Sequence, residues 1–93
     1  MFTACENKGF QMTFPNGWTV SVQWGPFNYC ENKSYECAWN EPSKRDTWKC
    51  PNAEIAAWDK NKVWYEFEND TVKGRVTPAE VLEFMNKIAA KDA

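Results

Sequence analysis

The residues of this chain best suited to chemistry are aromatic rings interleaved with cations. Phe27, Tyr29, Tyr35, Trp39, Lys44, Arg45, Trp48 and Lys49 fall in one stretch, and Trp58, Trp64, Lys73 and Arg75 follow. A flat ring stacked on a nucleobase is worth about 1–3 kcal/mol, and a neighbouring Arg or Lys neutralises a phosphate. The set reads as a binding site for a small nucleotide-like ligand. Trp39, Trp48 or Trp64 would stack the base with Tyr29 and Tyr35 beside them, and Arg45, Lys73 or Arg75 would hold phosphate. The same residue types dominate protein-binding hot spots, so capture of a protein partner is the competing reading. Any one such ring more often covers a small core, which leaves the signal in the cluster.

The total supports the cluster. Six Trp, six Phe and three Tyr exceed what 93 residues need to fill one interior, so some rings are expected to face outward. Other chemistries find little to work with. The chain has no His, which removes the commonest general base and the usual nitrogen ligand for zinc or haem. Cysteines at 5, 30, 37 and 50 lack a C-x-x-C knuckle and an activating base, so they read first as structural thiols, with two disulfides the next reading and a zinc site the least favoured. Phosphate-cradling glycine loops and nucleophile elbows are absent from the sequence. Glu54 and Glu66 would face each other across a hairpin, but solvated strand-face charges describe them better than acid and base partners. The expectation is a non-enzymatic protein without cofactor or metal.

The elements that must carry these residues are legible in the spacing. Phe10, Met12 and Phe14 share one parity, Pro15-Asn16-Gly17 makes a turn, and Trp18, Val20, Val22 and Trp24 share one parity, which predicts a hairpin. Thr13, Thr19, Ser21 and Gln23 would then form a half-solvated second face. Another hairpin is predicted from Ala53, Ile55 and Ala57, through a loop over 59–62, to Val63, Tyr65 and Phe67. Trp58 and Trp64 fall on its other parity with Glu54 and Glu66, a face that is either solvent or interface. Residues 71–76 suggest a short further strand weakened by Gly74. Thr77-Pro78-Ala79-Glu80 is a helix start, and Val81, Phe84, Met85 and Ile88, broadened by Leu82 and Ala89, give the helix an apolar stripe. Residues 26–51 carry no sustained period. The expected fold is α+β in a single domain over 1–93: a small antiparallel sheet of two hairpins plus a short strand, with one C-terminal helix packed on it.

Net charge is −2, from 11 basic and 13 acidic residues mixed along the chain, which fits neither a nucleic-acid-coating polycation nor a polyanion. Nothing in the sequence suggests a signal peptide or an apolar run of membrane-spanning length, so a cytoplasmic protein free of nucleic-acid polymer and membrane is expected. So short a chain has little volume to enclose a ligand, which favours a homo-oligomer.

At Gly17-Trp18-Thr19-Val20-Ser21-Val22-Gln23-Trp24-Gly25-Pro26, at Asn28-Tyr29-Cys30, at Ala53-Glu54-Ile55-Ala56 and at Asp70-Thr71-Val72-Lys73-Gly74, the chain resembles small accessory proteins of tailed bacteriophages. The likeness spans both predicted hairpins and the approach to the helix. It departs at Phe27, where glycine would be expected. That family has no assigned activity and transfers no functional residue. The resemblance implies an early viral product in the host cytoplasm, of a kind that counters bacterial defence by sequestering cyclic or ADP-ribose-derived signal nucleotides or by plugging a defence protein.

Overall fold

The structure, a computed structural model, describes residues 1–5, 8–25, 28–31 and 48–92. Among them five strands form one antiparallel sheet in sequence order: β1 (Phe2–Ala4), β2 (Gly9–Thr13), β3 (Thr19–Gln23), β4 (Ala53–Trp58) and β5 (Lys73–Val76). Helix α1 (Pro78–Ala89) packs on one face, over β3 and β4. The expected α+β fold is therefore the observed one.

Alternation decides which face the helix takes. Val20, Val22, Ala53, Ile55, Ala57 and Val76 are buried on that side beneath Phe84 and Ile88, with Trp18, Trp24, Tyr65 and Phe67 packed around them. Leu82 and Ala89 were expected to widen the helical stripe but are exposed: the helix meets the sheet through Phe84 and Ile88, flanked by the half-buried Val81 and Met85. The second face is less wet than the alternation implies. Thr19, Ser21 and Ala56 are buried there, since short side chains on the central strands lie between taller neighbours. The Gln23 amide folds over Ser21, and the Thr13 and Thr19 hydroxyls bond each other at 2.8 Å.

Two of the turns use one device. In the β2–β3 turn Phe14 N–H donates to Trp18 O and Gly17 N–H to Phe14 O, with Gly17 at φ 89°. After β4, Asp59 N–H donates to Val63 O and Lys62 N–H to Asp59 O, with Lys62 at φ 65°. Each is a three-residue loop whose last residue is left-handed, the conformation glycine adopts without steric cost. The second turn reaches it with a lysine, helped by the Asp59 carboxylate, which accepts from Asn61 and Val63 N–H.

The second predicted hairpin is the main departure. Its returning limb makes only a bridge, Trp64 opposite Trp58, with Tyr65 N–H donating to Ala57 O. The chain then leaves β4 for an excursion over 66–72, closed by Phe67 N–H on Asp70 O, and rejoins the same edge as β5. Val63 lies past the sheet end and is 60 % exposed. The missing limb is matched by a strand the alternation did not announce, β1, which is too short to show a period.

Helix α1 starts as predicted. Thr77 Oγ1 accepts from Glu80 N–H, and the Glu80 carboxylate accepts from Thr77 N–H and Oγ1–H, a reciprocal capping box. These bonds hold the Glu80 carboxyl below its ordinary range, with Lys73 adding a smaller attraction. The helix end has no glycine stop. Asn16 supplies the missing donors from the β2–β3 turn, its Nδ2 reaching Ile88 O at 2.9 Å, Lys91 O at 2.9 Å and Ala89 O at 3.3 Å. Lys91 lies over the Trp18 and Tyr65 rings, and Lys87 Nζ donates to Tyr65 Oη at 2.7 Å.

Candidate functional site

The residues around β5 form the most constrained corner of the molecule. Ala53 pairs with Val76 and Ile55 with Lys73, so Gly74 and Arg75 together oppose Glu54 in a bulge. Arg75 adopts φ 53°, a left-handed conformation costing a non-glycine residue roughly 1–2 kcal/mol. The loop after β3 is seated on this bulge. Arg75 N–H donates to Tyr29 O at 2.8 Å, Tyr29 N–H donates to Glu54 Oε2 at 3.0 Å, and Asn28 Nδ2 donates to Glu54 Oε1 at 3.3 Å. A Cβ on Gly74 would lie 2.5 Å from Tyr29 Cβ and 2.6 Å from Tyr29 O, so the seat exists only because position 74 has no side chain. The Tyr29 side chain is left 52 % exposed, beside the exposed Arg75.

Glu54 thus has a fixed structural task and does not meet Glu66, which stands exposed on the 66–72 excursion. Parity pointed correctly to a carboxylate on the face opposite the helix but gave no hint of its loop partner. A glycine interrupting an otherwise regular strand was the available signal of close backbone approach.

The other predicted site residues disperse. Lys73 is the register partner of Ile55 and projects on the helix side, where it lines a hollow of about 210 Å³ with Glu80, Glu83 and Lys87. The bulge therefore sets Lys73 and the Tyr29 seat on opposite faces. Trp48 is 5 % exposed, its carbonyl accepting from Trp24 Nε1 at 2.8 Å, so it is a core ring with no face for a ligand. Trp64 is 44 % exposed and tilts against Trp58 with ring centroids 4.9 Å apart. That pair lies at the far end of β4, four residues from Glu54, or about 13 Å at the usual strand rise. Tyr35, Trp39 and Arg45 lie outside the described residues, as do Phe27, Lys44 and Cys37.

A hollow of about 700 Å³ between Tyr65 and Lys73 is lined by Glu66, Glu68 and Asp70 as well as Lys73. Its charge repels phosphate. An apolar hollow of about 250 Å³ lies between Val22, Trp24, Cys50, Pro51 and Val81. Cys5 and Cys50 are free thiols, and the buried Cys30 Sγ is 3.5 Å from Gly25 O. Among the described residues no group of His, Cys, Asp and Glu could hold a metal ion, and no helix is long and apolar enough to cross a membrane. No known family model matches the chain, and neither the curated proteins nor the solved structures contain a match.

Proposed function

We propose that the protein is a non-enzymatic binding protein that captures a small nucleotide-like ligand on the sheet face opposite the helix, Tyr29 stacking the base and Arg75 holding phosphate. The observation that carries this reading is the locked corner itself. An exposed ring and an exposed guanidinium are borne on backbones bonded to each other, and the cation sits on a left-handed residue where glycine would be less strained. Backbone strain of this kind concentrates at functional sites, and unlike the strained Lys62, which closes a turn, Arg75 is bonded to the loop that carries an exposed ring. Trp64 and Trp58, about 13 Å along β4, lie within the span of a ligand longer than one nucleoside. In the setting that the phage-accessory resemblance implies, the ligand would be a cyclic or ADP-ribose-derived defence signal met in the host cytoplasm.

Isothermal titration against a panel of such nucleotides tests this, together with release of bound nucleotide from freshly purified protein on boiling. Heat that disappears in Arg75→Gly supports the proposal. No heat and no released nucleotide would sink it.

A second reading rests on the other end of β4. Trp64 is 44 % exposed with the Trp58 ring tilted against it, as an aromatic anchor for a protein would be. Under that reading a host defence protein is retained on immobilised wild-type chain and lost with Trp64→Ala, while no nucleotide binds.

A further inference from the structure

The outer edge of β1 is an open hydrogen-bonding template. Thr13 N–H donates to Met1 O, the Met1 ammonium donates to Thr13 O, and Cys5 N–H donates to Gly9 O, so residues 1, 3 and 5 turn their backbone groups toward β2. By the alternation of an antiparallel ladder, the N–H and C=O groups of Phe2 and Ala4 point away from the sheet. They have no partner among the described residues. The whole strand is exposed and its side chains carry no charge, no proline and no bulge, the devices that ordinarily block an edge. Phe2 is 76 % exposed on the side where α1 covers only β3 and β4.

We propose that β1 is the seam of a symmetric dimer of this chain, two copies pairing β1 antiparallel about a two-fold axis through Thr3. The occupant follows from self-complementarity. Centred on Thr3, Phe2 of one copy lies opposite Ala4 of the other, and each such pair exchanges two backbone hydrogen bonds; the axis then generates the second pair, so every outward group is satisfied. The small Ala4 leaves room for Phe2, and the diagonal spacing brings the two Phe2 rings within reach of each other on the helix-bearing face, beyond the strands that α1 covers. Neutral side chains meet neutral side chains, so no charge opposes the pairing. The contact is small. A buried aromatic side chain removes about 150–250 Å², so two Phe2 rings and two short edges stay below the ~1,200 Å² of the smaller stable interfaces. The dimer is accordingly weak and concentration-dependent. It lies across the sheet from Tyr29 and Arg75 and stands or falls independently of the ligand reading.

Sedimentation velocity from about 10 µM to about 1 mM, the range where so small an interface would assemble, measures it. Wild type passes from monomer to dimer. Ala4→Pro deletes an outward N–H without touching the β2 ladder, and Phe2→Lys places like charges across the axis; each raises the dissociation constant about tenfold or more. Thermal melts establish that both variants fold, and either folded variant suffices. In concentration-dependent amide spectra Phe2 and Ala4 move and Thr3 moves least. A monomer throughout the range, or a dimer unaffected by whichever substitution folds, overturns the proposal.

Discussion

The two edges of this sheet are built on opposite plans. At β5 the backbone is bulged, twisted through a left-handed Arg75, flanked by Lys73 and covered by the 28–31 loop, so another chain has nothing regular to pair with. At β1 a short neutral strand is bare. The blocked edge is also where the backbones of Tyr29 and Arg75 are bonded to each other, whereas the outward groups of Phe2 and Ala4 meet no partner among the described residues. A locked corner and an open backbone template thus stand at opposite edges of one sheet.

Substitutions at the two edges should differ most in folding stability. Gly74→Ala forces Tyr29 off its seat and is expected to cost about 2–3 kcal/mol in denaturant melts, while Ala4→Pro at the open edge costs about 0.5 kcal/mol or less. Equal costs would erase the distinction. Asn16→Ala removes the donor that closes the end of α1 and is expected to cost about 1–2 kcal/mol, with hydrogen exchange accelerated at the C-terminal turn of the helix. Arg75→Gly and Lys62→Gly each relieve a left-handed residue and should gain up to about 1 kcal/mol. Only Arg75→Gly should alter ligand binding, which separates strain kept for a site from strain kept for a turn.

The smallest effect concerns pH. Glu80 has its carboxyl lowered by the Thr77 backbone and side-chain bonds, so the stabilisation is present above its ordinary value of 4.5 and is lost as pH falls through the lower folded value. Melting temperature should fall with acid slightly less steeply in Glu80→Gln than in wild type. Identical acid limbs would show that the capping carboxylate carries no share of it.

The β2–β3 hairpin and the start of the helix were legible, and the bare edge strand beside that hairpin was not. Phe10 to Trp24 alternate over enough residues to declare a hairpin, and Thr77-Pro78-Ala79-Glu80 carries its cap in the local sequence. Strand β1 has too few residues for a period, and its pairing is set by β2 acting at a distance. Trp64 and Tyr65 sit next to β4 as the spacing required, but the chain departs at Glu66 because β5 takes the rest of that edge. For the candidate site, residue type named Tyr29 and Arg75, whose backbones the fold bonds together, and equally Lys73, which a bulge turns to the other face, and Trp48, which is buried. Those outcomes depend on register and burial, which no window of sequence contains.

Whether the Tyr29 and Arg75 corner binds a nucleotide-like ligand is decided by amide-resolved NMR titration with phosphorylated signal nucleotides. Saturable shifts concentrated at Tyr29, Glu54, Gly74 and Arg75 are expected, lost in Arg75→Gly while that variant melts no lower than wild type. Absence of saturable shifts with every nucleotide tried, or shifts confined to residues remote from this corner, would contradict the ligand reading.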